Sequence, residues 1–192
     1  VACNTATSVA IGYLRGKYGI PILGMEPAVK PAVRKNNGKR VMVIATPVTL
    51  REEKLKNLLT EVDERHVVDL LPLPRLVPFA ERGEFNTPEV EAYLAAEFSR
   101  YCLGDYSALV LGCTHFNYFK DTFRKLFSPD VDLIDGCSGT VNHLADVLKE
   151  DGLLENGGGR VEYYFSKRKA EDADILERIA GLHRRLDEML RC

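Results

Sequence analysis

The sequence predicts a layered α/β fold with a mostly parallel sheet, on three observations. Short apolar runs such as RVMVIA (Arg40–Ala45) and ALVL (Ala108–Leu111) recur along the 192 residues. Segments with apolar residues at helical spacing separate them, and no low-complexity stretch or repeat of 20–50 residues interrupts the alternation. Unbroken apolar runs are those of strands covered on both faces, as in parallel sheets wrapped by helices.

Taken in order, residues 5–16 place Val9, Ala10, Tyr13 and Leu14 at helical spacing, and PILG (Pro21–Gly24) reads as a short buried strand. A helix opens at Pro27–Val33, and the β-branched run Arg40–Ala45 is a strand. Residues 50–60 are amphipathic, and VVDLL (Val67–Leu71) is a strand. In TPEVEAYLAAEFSRYC, Thr87 is an N-cap, Pro88 occupies the first helical position and acidic residues fill the first turn. The strand Ala108–Leu111 leads into GCTH and a helical stretch through Phe127. Val131–Ile134 is a strand and Gly139–Lys149 a helix. Gly157–Gly159 make a turn, Val161–Phe165 (VEYYF) a strand, and residues 171–190 a helix with Ile175, Ile179, Leu182, Leu186 and Leu190 on one face.

Composition narrows the class. The chain is 45% hydrophobic and 28% charged, with 26 basic against 28 acidic residues, a net charge of −2. That balance argues against a protein that coats nucleic acid, which needs a concentrated basic surface. The basic clusters at Arg34–Arg40 and Lys167–Lys169 read as solvated loops. No apolar run approaches the roughly 20 residues that cross a bilayer, so no membrane partner is expected. Five cysteines, Cys3, Cys102, Cys113, Cys137 and Cys192, form no CxxC pair, which speaks against structural zinc and a disulfide framework and for a reducing, cytoplasmic setting. No metal site is expected. No cofactor is implied either: there is no GxGxxG after a strand, no Walker-type loop, and no lysine context suited to pyridoxal.

Two cysteines stand in matching contexts. Ala2-Cys3-Asn4-Thr5 and Gly112-Cys113-Thr114-His115 each place a small residue and a cysteine at an apolar strand end, then two hydrogen-bonding residues, then a helix. Ligands of parallel α/β sheets bind beyond the carboxyl ends of the strands, beside helix N-termini whose free N–H groups attract carboxylates. The same field lowers a thiol pKa from about 8.5. One thiol from each side of a cleft suits racemisation of an α-amino acid: a thiolate removes the α-proton and the opposite thiol returns one to the other face. General-base action contributes only about 10²–10⁴-fold, so donors aimed at the substrate carboxylate are also needed. Asn4, Thr5, Thr114 and His115 are placed for that role. A cysteine ending a buried strand is more often a small core residue than a catalyst; the pairing shifts the balance. His115 alone suits a capping role as well as a catalytic one. Cys102, on the amphipathic helix, and the terminal Cys192 read as incidental, while Cys137, after the strand end at Asp135-Gly136, has no assigned role.

These residues resemble the cofactor-independent glutamate racemases of the aspartate/glutamate racemase superfamily. VACNTATSVAIGYLRGKYGIPILGMEPAVKPA is similar to that family's segment around its first catalytic cysteine, and LVLGCTHF to the segment around the second. VMVIATPVT (Val41–Thr49), LVPFAERGE (Leu76–Glu84) and LIDG (Leu133–Gly136) fit the intervening segments. The resemblance implies two similar α/β domains, residues 1–26 with 137–192 carrying Cys3 and residues 27–136 carrying Cys113, with the active site between them. It implies Cys3 and Cys113 as the acid/base pair. Asn4, Thr5, Thr114 and His115 become substrate contacts, joined by Thr46 and Thr49 from a strand-end loop. Glu81 becomes a helper on the Cys113 side, or else a solvated helix carboxylate.

The implied activity is conversion of L-glutamate to D-glutamate for peptidoglycan, with glutamate as the small-molecule partner. The family is commonly dimeric, so a homodimer is expected. Some members are associated with inhibition of DNA gyrase, a partnership for which these residues offer no specific evidence. The chain departs from the pattern in three places. Family members carry an earlier strand with Asp-Ser-Gly and a later Pro-Tyr-Gly turn, and neither stands in this sequence. Phe116-Asn117-Tyr118 replaces the usual Tyr-Pro-Leu, and EPAV (Glu26–Val29) lacks the common Gly after Pro. The expectation is therefore an N-terminally truncated chain, its first strands missing and its activity weak or absent. Two other readings compete: an aspartate or hydantoin racemase or related decarboxylase, and a non-catalytic relic that binds glutamate or a protein partner.

Overall fold

The computed structural model describes residues 1–154, 158–165 and 167–191; the turn at Gly157 and the terminal Cys192 lie outside them. The four apolar runs become β1 (Arg40–Ala45), β2 (Val68–Pro72), β3 (Tyr106–Leu111) and β4 (Asp132–Asp135), and all pair parallel in the order β2-β1-β3-β4. Their two-residue period sorts the core into two layers. Met42, Ile44, Leu71, Leu109 and Leu111 face one side, while Val41, Val43, Ala108 and Val110 face the other. Both faces are covered, as the apolar runs predicted.

The helices in chain order are α1 (Asn4–Lys17), α2 (Val29–Arg34), α3 (Pro47–Arg51), α4 (Glu53–Val62), α5 (Leu76–Glu81), α6 (Pro88–Phe98), α7 (Lys120–Leu126), α8 (Cys137–Glu150) and α9 (Ala173–Met189). A six-residue 3-10 helix, Thr114–Phe119, joins β3 to α7. Val29, Ala32 and Leu55 from α2 and α4 seal one face of the sheet. The other face holds an aromatic layer from α5, α6, the 3-10 helix and α7, in which Phe98 meets Phe123 and Phe127 edge to face. Thr87 accepts a hydrogen bond from the Val90 N–H, with Pro88 at the first helical position. The cap expected from the sequence is present.

Several local expectations change. The buried face of α1 is Asn4, Thr7 and Ile11, not the stripe around Val9 and Tyr13, which are 62% and 67% exposed. Thr7 decides this: its hydroxyl donates to the Val1 carbonyl at 3.3 Å and accepts the Met25 N–H at 3.0 Å. The approach depends on Gly24, where a Cβ would come within 2.4 Å of Thr7 Cγ2. Pro21–Gly24 forms no assigned strand; the Val1 ammonium donates to Leu23 O, the adjoining Met25 N–H donates to Val1 O, and Arg15 Nε donates to Ile22 O at 3.0 Å. Residues 50–60 break at Glu52, whose extended backbone separates α3 from α4. Helix α6 ends at Phe98, so Cys102 lies beyond it and exposed. Of Val161–Phe165 only Tyr164–Phe165 is a strand, β5, and it pairs antiparallel with β6 (Arg168–Lys169). On α9 Met189 is buried, whereas Leu190 is 79% exposed.

Candidate active site

In an all-parallel sheet the carboxyl ends of the strands share one edge, and there this chain collects its polar side chains. Thr46 follows β1, Cys113 follows β3 and Cys137 follows β4. Cys113 is extended (φ −146, ψ 135) at the head of the 3-10 helix, and Cys3 is extended (φ −153, ψ 122) at the head of α1. The two motifs that echo each other in sequence thus adopt the same local geometry. Gly112 makes the second possible, because a Cβ there would meet Ala45 Cβ and Ile44 O at 2.9 Å each.

The two thiols differ in surroundings. Cys3 is half-buried, and its Sγ accepts the Ala6 N–H at 3.4 Å as the N-cap of α1. Cys113 is 6% exposed. Burial pushes its thiol up to about 11; the His115 N–H opposes the shift, the nearby Cys3 adds to it, and the Phe116 N–H opposes it again. This reverses the expectation that a helix N-terminus lowers the thiol pKa: for Cys113, loss of water outweighs the backbone donors.

His115 connects Cys113 to Glu81. Its Nδ1 lies 3.9 Å from Cys113 Sγ, and its Nε2 lies 2.9 Å from Glu81 Oε1. The hydrogen bond from His115, opposed by desolvation and helped by the charges of His115 and Arg178, holds the Glu81 carboxyl below its ordinary value. An ionised carboxylate accepts only, so Nε2 carries the proton of that bond, and the tautomer with its single proton there presents the lone pair of Nδ1 to the thiol.

On the Cys3 side three hydroxyls form a closed ring: Thr5 to Thr46 at 2.9 Å, Thr5 to Thr49 at 3.0 Å, and Thr46 to Thr49 at 3.1 Å. Thr46 also caps α3 by accepting the Thr49 N–H at 3.3 Å. Residues from α1 and from the β1 loop, 41 and 44 positions apart, are tied into one cluster. Asn4 is 4% exposed, and its Oδ1 is buried with no partner among the described residues. Thr114, half-buried, lies with His115 on the wall of a cavity of 450 Å³ that also meets Asn117, Lys120, Asp135 and Cys137.

Cys137 opens α8, and its N–H donates to Asp135 Oδ1 at 2.8 Å while Lys120 Nζ donates to Asp135 Oδ2 at 3.0 Å. Burial raises Asp135, but the Cys137 N–H and the Lys120 ammonium outweigh it and hold the carboxyl below its ordinary value. Burial and the neighbouring Asp135 push the Cys137 thiol up to about 11.

Residues 1–144 match the Asp/Glu/Hydantoin racemase family. The chain belongs to that family. It is 51% identical to the glutamate racemase of Lachnospira eligens over 195 residues, covering 98% of this chain and 74% of that protein. It thus spans about three quarters of the relative's length. Among solved structures, Escherichia coli glutamate racemase in complex with L-glutamate and the activator UDP-MurNAc-Ala superposes with a TM-score of 0.73 at 22% identity, covering 95% of this chain and 68% of that one. At that identity the likeness shows the fold. Francisella tularensis glutamate racemase in complex with D-glutamate gives a TM-score of 0.66 at 27% identity over 81% of this chain and 58% of that one. For this racemase-family chain, the parallel sheet with flanking helices is the family's own architecture.

Sequence reasoning named Cys3, Cys113, Asn4, Thr5, Thr46, Thr49, Thr114, His115 and Glu81. The structure ties Thr5, Thr46 and Thr49 into one cluster and Cys113, His115 and Glu81 into another. The sequence alone does not single out Arg178 and Arg185 on α9. Arg178 Nη2 bonds the Glu81 main-chain carbonyl and lies 3.2 Å from Glu81 Oε2. Arg185 holds the Tyr118 carbonyl through Nε at 3.1 Å and Nη2 at 2.8 Å. Their spacing, seven residues along one helix, was the available signal, but their partners are 97 and 67 positions away. Among the described residues no helix is long and apolar enough to cross a membrane.

Proposed function

We propose that this chain interconverts L- and D-glutamate by direct proton transfer between Cys3 and Cys113, without a cofactor. Residues 27–136 form the unit that presents Cys113, residues 1–26 with 137–192 the unit that presents Cys3, and the α-carbon lies between the thiols. The observation that carries this reading is geometric: Cys3 and Cys113, both extended, head two separate helices, α1 and the 3-10 helix that follows β3. Its support is the family match and the glutamate racemases among the chain's relatives. D-Glutamate is a building block of peptidoglycan, so the product feeds cell-wall synthesis.

In one direction the Cys3 thiolate takes the α-proton and the Cys113 thiol delivers one to the opposite face. In the other, Cys113 must first become a thiolate in a site whose burial opposes it. His115 resolves this by accepting the Cys113 proton at Nδ1, while the Glu81 carboxylate stabilises the resulting imidazolium through Nε2. The threonine hydroxyls and Asn4 engage the substrate carboxylate and ammonium groups, and Thr114 does so from the Cys113 side. Donors fixed before the substrate arrives stabilise the charge that builds on the carboxylate as the α-proton leaves.

The test is solvent deuterium entering the α-position of each glutamate enantiomer. With 98% of the chain matched by a glutamate racemase, the wild-type chain is expected to exchange and racemise, in place of the weak or absent activity expected from the sequence, and Cys3→Ser and Cys113→Ser each to lose racemisation. Unchanged racemisation in both variants would remove the assignment.

A further inference from the structure

Helix α9 contacts the Cys113 side of the site at two points. Arg185, its side chain only 12% exposed, bonds the Tyr118 carbonyl twice and Asp121 Oδ1 at 2.7 Å, and its guanidinium lies 5.1 Å from the Phe85 ring centre. That fixes the 3-10 helix bearing His115. Two turns earlier on the same helix, Arg178 grips Glu81 through both its main-chain carbonyl and its Oε2. Glu81 is the last residue of α5, and its side chain is 60% exposed, so little packing holds its carboxylate. Among the described residues, the bonds from His115 and Arg178 define where that carboxylate points.

We infer that Arg178 is a positioning residue: it locks the Glu81 carboxylate against His115 Nε2 and so fixes the imidazole tautomer that faces Cys113. This rests on the proton-transfer role given to Cys113 above. Glu81 Oε1 goes to His115 and Oε2 to Arg178, so each carboxylate oxygen has one partner and the group cannot rotate without losing both. The same Nη2 also donates to the Glu81 main-chain carbonyl, which stops the end of α5 from carrying the carboxylate away. With Arg185 anchoring the 3-10 helix from the same face of α9, one helix sets the distance between the base of the dyad and its orienter. Reactions that depend on such placement lose up to about 10²-fold from small displacements.

The test uses the whole 192-residue chain. Arg178→Ala, Arg178→Lys and, as a control on the same helix, Arg184→Ala are compared; Arg184 pairs only with Glu177, at 2.6 Å, among the contacts described. Two readouts are taken: racemisation kinetics with glutamate, and the ring-nitrogen NMR shifts of His115 at neutral pH, which report its tautomer. Arg178→Ala is expected to lower kcat roughly tenfold, to leave KM within about twofold, and to remove the predominance of the Nε2–H tautomer. Arg178→Lys restores most of both, and Arg184→Ala leaves both as in the wild type. An unchanged His115 spectrum in Arg178→Ala would overturn the inference, as would an equal loss in Arg184→Ala, which would make the effect one of general helix stability. A wild-type chain that fails to racemise, while Arg178→Ala still shifts the tautomer, sinks the proton-transfer reading and leaves the positioning role standing.

Discussion

His115 turns toward Cys113 the one ring nitrogen that Glu81 does not hold, 3.9 Å from the sulfur. The buried thiol and the exposed carboxylate are therefore linked through a single imidazole, and each end of that link can be tested separately.

His115→Asn removes the proton acceptor while keeping a polar group of similar reach. The expected outcome is a fall in kcat of roughly 10²-fold with little change in KM, the usual contribution of a positioned acid/base. Glu81→Gln keeps a hydrogen-bond acceptor but loses the charge that stabilises imidazolium, so its effect is smaller. The double variant is expected to lose no more than His115→Asn alone, because both act through one ring. Steady-state kinetics on the three variants check this; additive losses would contradict a single relay.

The raised thiols carry a pH signature. Cys113 and Cys137 both move from the ordinary cysteine value of 9.0 to about 11 in the folded chain. Between those values the unfolded chain gives up protons that the folded one keeps, so folding stability falls as pH rises from 9.0 to 11. Urea midpoints measured across that range should decline. Cys113→Ser is expected to flatten part of the decline and Cys137→Ser another part. A midpoint indifferent to pH in the wild type would show that burial does not hold these protons.

At the amino end of the sheet, Asp69 on β2 receives Arg40 Nε at 2.6 Å, Arg40 Nη2 at 2.7 Å and the Tyr106 hydroxyl at 2.6 Å. The Arg40 bonds hold its carboxyl below the ordinary 3.8; burial opposes them and the Tyr106 hydroxyl assists. Its contribution is present above 3.8 and is lost as pH falls below that value, where the unfolded chain takes up the proton first. Asp69→Asn should cost about 1 kcal/mol at neutral pH, since partial exposure screens the pair. It should also remove that share of the acid sensitivity. Urea denaturation at pH 7 and in acid reads both.

Thr46→Val opens the hydroxyl ring without a large change in volume. KM for glutamate is expected to rise by only about two- to threefold, because a hydroxyl that turns to the substrate gives up a bond to its neighbour in the ring, and Thr5→Val should behave alike. Isothermal titration with either enantiomer would check it. An affinity unmoved by both substitutions would take the threonines out of the substrate site.

The sheet was legible because Arg40–Ala45 and Ala108–Leu111 are apolar on both faces, a pattern that few alternatives satisfy. The cap at Thr87-Pro88 and the paired cysteine motifs were legible for the same reason, each being a local rule met within four residues. Helix α1 was not, since its buried face runs through Asn4 and Thr7, polar residues whose burial depends on Met25 and Val1. Nor was the Cys113 pKa: the helix N-terminus is visible in sequence, but the burial that overrides it comes from the aromatic layer of distant helices. Arg178 illustrates the general limit, because nothing near it in sequence says that its partner is Glu81.

The threonine ring has a consequence for binding. Three hydroxyls that already satisfy one another form a closed circuit in which every proton is in use. Each one turned toward an incoming carboxylate abandons a neighbour, so the gain from a ligand is the difference between two bonds rather than the whole of one. A site built this way grips weakly and evenly. On the function proposed above, in which product is the mirror image of substrate, even-handed release matters as much as capture, and a ring that recloses on itself when empty would supply it.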